Sequence, residues 1–198
     1  MGKQNGNRVI PFVTRALQLY DLDKAHSEQV TTLALALFDE LRSLHKYGKK
    51  ERLLLEIAGR LHDIGWSRTE SGKHHKLSRD MILELEIPGL DERQRLICAL
   101  VARYHNKALP DASRHRQFAS LDKDSRAIVS WLAGILRVAD GLDCSHARLV
   151  KGLKCKVNAK HIVICLDSAG DCPMELRRAR QKQELLTETT GRNIEYQC

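Results

Sequence analysis

The chain has 198 residues, 42% of them hydrophobic but only 5% aromatic, and its 33 Lys and Arg against 25 Asp and Glu leave a formal charge of +8. That length suits one substantial core, or a core with a small appendage, and falls short of two full domains; few aromatics favour a Leu-, Ala- and Ile-packed helical protein over a sandwich or barrel. No apolar run approaches the roughly 20 residues of a membrane helix, and the polar start Met1 to Gly6 is not followed by a signal-type apolar core, so a soluble protein with no membrane partner is expected.

Pro11, with Phe12, Ala16, Leu17 and Leu19 behind it, predicts a short helix over 11–19 with proline in its first turn. Asp21 or Asp23 can cap the next helix, in which Val30, Leu33, Ala34, Leu37, Phe38, Leu41 and Leu44 recur at helical spacing until Gly48. His26 lies four residues before Val30, on the apolar side. A third helix over 51–63 ends in Leu61-His62-Asp63-Ile64-Gly65, an imidazole beside a carboxylate where an apolar stripe stops at glycine. Residues 67–76 read as a polar loop ending in His74-His75, and the helix over 77–86 stops at Pro88-Gly89. Asp91-Glu92 opens a helix whose Leu96, Ile97, Leu100, Val101, Tyr104 and His105 share one side. Residues 106–120, with Pro110, read as a loop able to lie over a pocket. Asp122 or Asp124 then caps a long helix with Ile128, Trp131, Leu132, Ile135, Leu136 and Ala139 inward, and Asp140 follows Leu136 by four.

After Val150 the period changes. Leu153, Cys155 and Val157 alternate with Lys154 and Lys156, and a turn at 158–160 leads into 161–166, a hairpin with one basic face. A helix over 175–189, with Leu176, Ala179, Leu185 and Leu186 as its core side, and a strand over 193–196 close the chain. The fold class is therefore mainly α: a helical bundle over 1–150 with a small β-hairpin plus helix appendage over 151–198.

Four helices bring His26, His62 with Asp63, His105 and Asp140 to apolar faces. Singly, each has an ordinary explanation as a hydrogen-bonded core histidine or a helix cap. Together they leave imidazoles and carboxylates uncompensated among aliphatic side chains, which is costly, and a divalent cation compensates all of them at once. Imidazole and carboxylate without thiolate suit Mn, Fe, Zn, Co or Ni; an all-oxygen calcium site fits worse, and Mg is the weaker match. His74 or His75 is placed to supply a second ion, with Asp63 as a bridge. Two metals roughly 3.5–4 Å apart hold a bridging hydroxide and clamp a phosphoryl oxygen for in-line displacement. The six cysteines contain no CxxC pair, which argues against a cysteine-rich zinc site and for reduced thiols in a cytoplasmic protein. The basic excess attracts phosphorylated metabolites, polyphosphate or nucleic acid, the last being the less favoured.

His26 with Val30, His62-Asp63-Ile64-Gly65, His74-His75-Lys76, Arg103-Tyr104-His105 and Leu136-Arg137-Val138-Ala139-Asp140-Gly141-Leu142-Asp143 resemble, in order and spacing, the HD superfamily of metal-dependent phosphohydrolases. Within it they resemble the HD domain at the C-terminal end of exopolyphosphatase/guanosine pentaphosphate phosphatases, over nearly the whole chain. The resemblance implies an HD-domain helical bundle in which His26, His62, Asp63 and Asp140 hold one ion and His74 and His105 a second. His74 is preferred to His75 for its spacing to Ser78. It also implies hydrolysis of a phosphate ester or anhydride, in a nucleotide or polyphosphate, through a metal-bound hydroxide.

Asp63, Lys107 and Asp143 are the candidate catalytic residues; Lys76, Arg103, Lys107 and Arg148 are candidate phosphate contacts, and Arg137 lies near the same blocks. Asp143 and His146 are suited to orient ligands or move a proton. His45, His115 and His161 read as structural, and Arg177, Arg178, Arg180 and Lys182 as a solvated helix face. In the two-part phosphatases, hydrolysis is attributed to N-terminal actin-like lobes, to which nothing in these 198 residues corresponds. A second expectation therefore stands beside the enzyme: a non-catalytic module that binds a phosphorylated ligand or polyanion. The partner in either case is a phosphorylated small molecule or polyphosphate, and a homodimer is compatible with both.

Overall fold

Helix caps set the frame of the fold. In the structure, a computed structural model that describes residues 6–197, α1 (Gly6–Tyr20) starts before Pro11, which therefore lies inside the helix instead of opening it. The readings of the first residues and of Cys198 lie outside the described residues. Asp23, not Asp21, caps α2 (Lys24–Glu40) by accepting the His26 N–H at 3.1 Å. Asp21 instead accepts the Ser27 hydroxyl at 2.6 Å. The helix predicted to run on to Gly48 breaks at Leu41, and α3 (Arg42–His45) is a separate turn. Glu51 closes on the Gly48 N–H at 2.9 Å to open α4 (Lys49–Leu61), and a single 3-10 turn, Ile64–Arg68, follows the histidine–aspartate pair.

α5 (His74–Glu84) begins earlier than its sequence pattern suggests, so His74 and His75 occupy its first turn and not a loop. Asp91 and Gln94 form a reciprocal capping box at α6 (Glu92–Tyr104). A short α7 (Arg116–Ala119) interrupts the segment read as loop, and Asp122 caps α8 (Lys123–Gly141) by accepting the Ser125 N–H at 2.8 Å. α8 is the central element, against α2, α4 and α6 on one side and α9 and α10 on the other. Its second half, 132–139, is accordingly buried all round: Ala133 and Val138 are inside with the predicted face, as is Val129, whereas Ile128 and Trp131 are only half-buried.

The appendage holds β1 (Val150–Val157) and β2 (His161–Ser168) as an antiparallel hairpin, with β3 (Asn193–Gln197) parallel to β2 in the order β1-β2-β3. Between them the single helix expected over 175–189 divides at Gln183 into α9 (Pro173–Lys182) and α10 (Glu184–Thr190), and Leu176 is only half-buried. Glu40 ties β1 to α2, accepting the Cys155 N–H at 2.9 Å and the Lys154 ammonium at 3.0 Å. One hydrophobic cluster runs from the helices through Val150, Leu153, Ile162 and Ile164. The close seat of α9 depends on Gly141, since a Cβ there would lie 2.8 Å from the Ala179 Cα. No helix among the described residues is long and apolar enough to cross a membrane.

Candidate metal centre

The ends and first turns of five helices converge on one point. His62 directly follows α4 and His105 directly follows α6, and each turns Nδ1 back on its own last turn, to Gly59 O at 2.7 Å and to Ala102 O at 2.6 Å. Those contacts suit the tautomer with Nδ1–H donating, which leaves each Nε2 lone pair facing inward. His26, in the first turn of α2, sets Nδ1 2.9 Å from Asp143 Oδ2 and Nε2 3.3 Å from Asp140 Oδ1. The second oxygen of buried Asp143 accepts the Arg148 backbone N–H at 2.9 Å, so this carboxylate orients His26 from behind. His74 stacks on Trp66 with ring centres 4.0 Å apart and places Nε2 3.3 Å from Asp63 Oδ1 and 3.2 Å from His105 Nε2. Asp63 also lies 3.4 Å from His105 Nε2 and 3.7 Å from His62 Nε2.

Gly65 makes the Asp63–His74 approach sterically feasible. A Cβ at this position would stand 2.2 Å from His74 O and 2.6 Å from Ser78 N, while the Gly65 N–H donates to Ser78 Oγ at 2.9 Å. The 3-10 turn after the histidine–aspartate pair can therefore lie directly on the first turn of α5.

Two sets have the spacing of metal ligands, His26 with His62 and Asp140, and His62 with Asp63 and His105, each with its atoms within 4.8 Å of one another. His62 Nε2 and Asp63 Oδ1 are buried without an aligned hydrogen-bond partner. Leaving such a group unmet costs about 1–3 kcal/mol, so two adjoining acceptors in one cluster argue for a ligand of opposite character. Burial pushes the imidazoles of His62, His74 and His105 below their ordinary pKa, keeping their lone pairs free. Burial works against ionising Asp63, but His62, His74, His26 and Lys182 outweigh it and hold its carboxyl below the usual range. Neutral imidazoles with an ionised carboxylate fit a divalent transition metal.

A cavity of about 250 Å³ opens onto this cluster, lined also by Asn106, Cys144, His146, Arg178 and Lys182. Lys182 corrects the reading of its helix as solvated: it is 6% exposed, and its ammonium meets Asp140 Oδ2. Burial and the nearby Arg137 push its amine down to about 7, against the pull of Asp63. The signal that marks it is its spacing, since Glu175, Ala179 and Lys182 form the buried stripe of α9. His146 stacks on His26 at 3.9 Å and sets Nδ1 2.7 Å from Asp23 Oδ2.

Not all the predicted residues meet here. Lys76, Arg103 and Lys107 line a neighbouring cavity of about 300 Å³ that shares Asn106 with the first. Arg148 lines neither and serves Asp143 through its backbone. Arg137 is buried, and its guanidinium donates to Tyr104 O at 2.9 Å, Lys107 O at 3.4 Å and Lys182 O at 3.3 Å. Two of those carbonyls end α6 and α9, where the helix dipole favours a cation. His45 and His161 engage Phe38 O and Glu195, whereas His115 lies on the wall of the second cavity. In comparison with known proteins, the model of the family described as Ppx/GppA phosphatase, domain III, matches residues 12–188.

Proposed function

The chain belongs to the Ppx/GppA phosphatase domain III family, and from that premise we propose that it is a divalent-metal-dependent phosphohydrolase of HD type. Its substrate on this reading is a phosphate ester or anhydride of the nucleotide or polyphosphate class. The observation that carries it is the convergence of His26, His62, Asp63, His74, His105 and Asp140 in one cluster that opens onto a cavity, with a buried nitrogen and a buried oxygen that lack partners. His26, His62, Asp63 and Asp140 would hold one ion; Asp63, His74 and His105 would hold a second. When bound, such a cation supplies an acidified water and positive charge against the phosphoryl oxygens.

The chain's own groups do the rest. Asp143 fixes the His26 ring through Nδ1. Lys182 and Arg178 face the cavity and offer positive charge to a phosphate held there. His146, half-exposed at the wall and paired with Asp23, is placed to exchange a proton with solvent. Free thiols at Cys98, Cys144, Cys155 and Cys165 support a cytoplasmic setting.

Elemental analysis of untagged wild type and Asp63→Ala, followed by a screen of nucleotides, cyclic nucleotides and polyphosphates, tests the proposal. One or two equivalents of Mn, Fe, Zn, Co or Ni, lost in the variant along with phosphate release, is the expected result. Full metal loading with no hydrolysis of any of these compounds overturns it. A second reading, a non-catalytic module for a phosphorylated ligand, is favoured by one contact: the Lys182 ammonium neutralises Asp140 without any ion. That reading requires ligand binding to survive chelation and to weaken steeply with salt.

A further inference from the structure

The neighbouring cavity is built on a different chemistry. Lys73, Lys76, Arg103, Lys107 and Arg114 line it, no carboxylate does, and none of the five forms an ion pair among the described residues. Five cations around a concave surface, with Asp111 acting on Arg114 and His115 from outside the lining, focus a net positive potential into it. Among the lining residues, His75 Nδ1, Arg103 Nη1 and Tyr104 Oη are buried without an aligned hydrogen-bond partner. His75 is 5% exposed and Tyr104 0%, so these atoms belong to the wall and not to an open surface. Arg103 sits beside the Tyr104 ring, 5.5 Å from its centre, and its guanidinium reaches toward the Tyr104 hydroxyl without the alignment of a full hydrogen bond.

A hydroxyl, a guanidinium N–H and an imidazole nitrogen are groups that can all donate. Several donors within a positive field call for a ligand with several acceptor oxygens and negative charge. At about 300 Å³ the space exceeds the roughly 30 Å³ of one water and matches the lower range of small-ligand pockets. Its wall is firm: Arg137 pins the carbonyls of Tyr104 and Lys107, and Lys107 holds a left-handed φ of 61°. A further cavity of about 230 Å³ shares Arg103, Tyr104, Arg114 and His115 with this one and adds Arg79 and Arg116. The cationic lining therefore continues away from the metal centre.

We propose that the cavity between α5, α6 and the segment after His105 is a separate binding site for a phosphoryl group, formed by Arg103, Tyr104, His75, Lys76 and Lys107 and independent of any metal. Two sources supply that chemistry, a free phosphate anion or the far phosphate of a chain whose near end lies in the metal cavity. Only the second source rests on the phosphohydrolase reading.

Calorimetric titration of the full chain with orthophosphate and with tripolyphosphate tests the site, before and after chelation, in wild type, Arg103→Gln, Lys107→Ala and Asp63→Asn. Chelated wild type is expected to bind tripolyphosphate. Arg103→Gln should weaken binding at least tenfold and Lys107→Ala several-fold, while Asp63→Asn leaves it in place. Lys107 is exposed, so its variant stands if Arg103→Gln fails to fold. No binding to chelated wild type, or unchanged affinity in both basic-residue variants, overturns the site. With metal restored, a tripolyphosphate preference over orthophosphate that Asp63→Asn removes identifies the substrate's far end as the occupant. Equal affinities indifferent to Asp63→Asn identify free phosphate. A protein that hydrolyses nothing yet shows the Arg103 effect retains this site and loses only the enzymatic reading.

Discussion

The two cavities that meet at Asn106 draw on the same pair of helix ends and reach opposite character. α5 gives His74 to the first and His75 to the second; the end of α6 gives His105 to the first and Arg103 with Tyr104 to the second. Successive residues on a helix point about 100° apart, so one turn can wall two spaces. What separates the spaces is the carboxylates. Asp63 and Asp140 stand among the imidazoles of the first, and the second is lined by cations and neutral groups. Unmet nitrogen lone pairs beside carboxylates ask for a cation, and unmet donors beside ammonium and guanidinium groups ask for an anion.

The change expected to break that comparison most completely is His62→Ala. His62 belongs to both ligand sets, so the variant should purify without metal by elemental analysis and lose metal-dependent hydrolysis to background. Tripolyphosphate binding in the second cavity should stay within about twofold, since His62 does not line it. A joint loss of both would make the two cavities one site. Gly65→Ala comes next. Its methyl cannot fit against His74 O without backbone movement, and overpacking of this kind costs about 1–3 kcal/mol or more. A lowered Tm together with reduced metal content is expected; a variant that matches wild type in both would mean α5 shifts freely.

Asp143→Asn sharpens the comparison on the metal side alone. The amide keeps the shape but loses the charge that orients His26, and such supporting groups are worth roughly 10–100-fold in metal affinity. A competition titration with a chelating dye reads that loss, and unchanged affinity would reduce Asp143 to a structural cap for Arg148. Tyr104→Phe does the same for the anion side. Because its hydroxyl is buried and lacks an aligned partner, removing it should leave Tm unchanged or raise stability by up to about 1 kcal/mol, while tripolyphosphate binding weakens several-fold. A clear drop in Tm would show that the hydroxyl is already satisfied within the fold.

What the sequence made legible follows from locality. His26, His62, Asp63, His105 and Asp140 stand on or just beyond strongly periodic helices, where spacing alone fixes which side a residue faces, and the structure brings all five together. His74 sat at the edge of a helix without a side-chain cap; Lys73 supplies no capping oxygen, so the loop reading stopped at the wrong residue. Lys182 was hidden by composition: among Arg177, Arg178 and Arg180 it looks like one more solvated cation, and only the docking of α9 on Gly141 buries it. The second cavity is half visible in the sequence, where Lys76, Arg103 and Lys107 stand beside the motif blocks as candidate phosphate contacts. Their separation from the metal centre depends on where the segment after His105 folds back, held by Arg137 through backbone carbonyls that carry no sequence signature. The split of the last helix at Gln183 is of the same kind, for neither Pro nor Gly marks it.

The smallest effect expected concerns acid stability and sets the baseline for both sites. His45 lines neither cavity; it packs on Phe38 with ring centres 4.2 Å apart, lies 2.8 Å from Phe38 O through Nε2, and accepts the Tyr47 N–H on Nδ1 at 2.9 Å. Both nitrogens are thus used by the neutral ring, and burial is the main reason its pKa falls below the ordinary value, with Arg42 adding to it against the Phe38 carbonyl. The unfolded chain takes up this proton near pH 6.5 and the folded chain only at lower pH. In that window the unfolded state binds more protons, so the contribution of His45 is intact above about pH 6.5 and is lost as pH falls toward its folded pKa. Thermal melts of chelated protein between pH 7 and 5 should therefore slope less in His45→Gln than in wild type. Chelation keeps the acid release of metal by His62, His74 and His105 out of the measurement. If the slopes coincide, the acid sensitivity belongs to the other depressed imidazoles, those of the candidate metal centre together with His75 and His115.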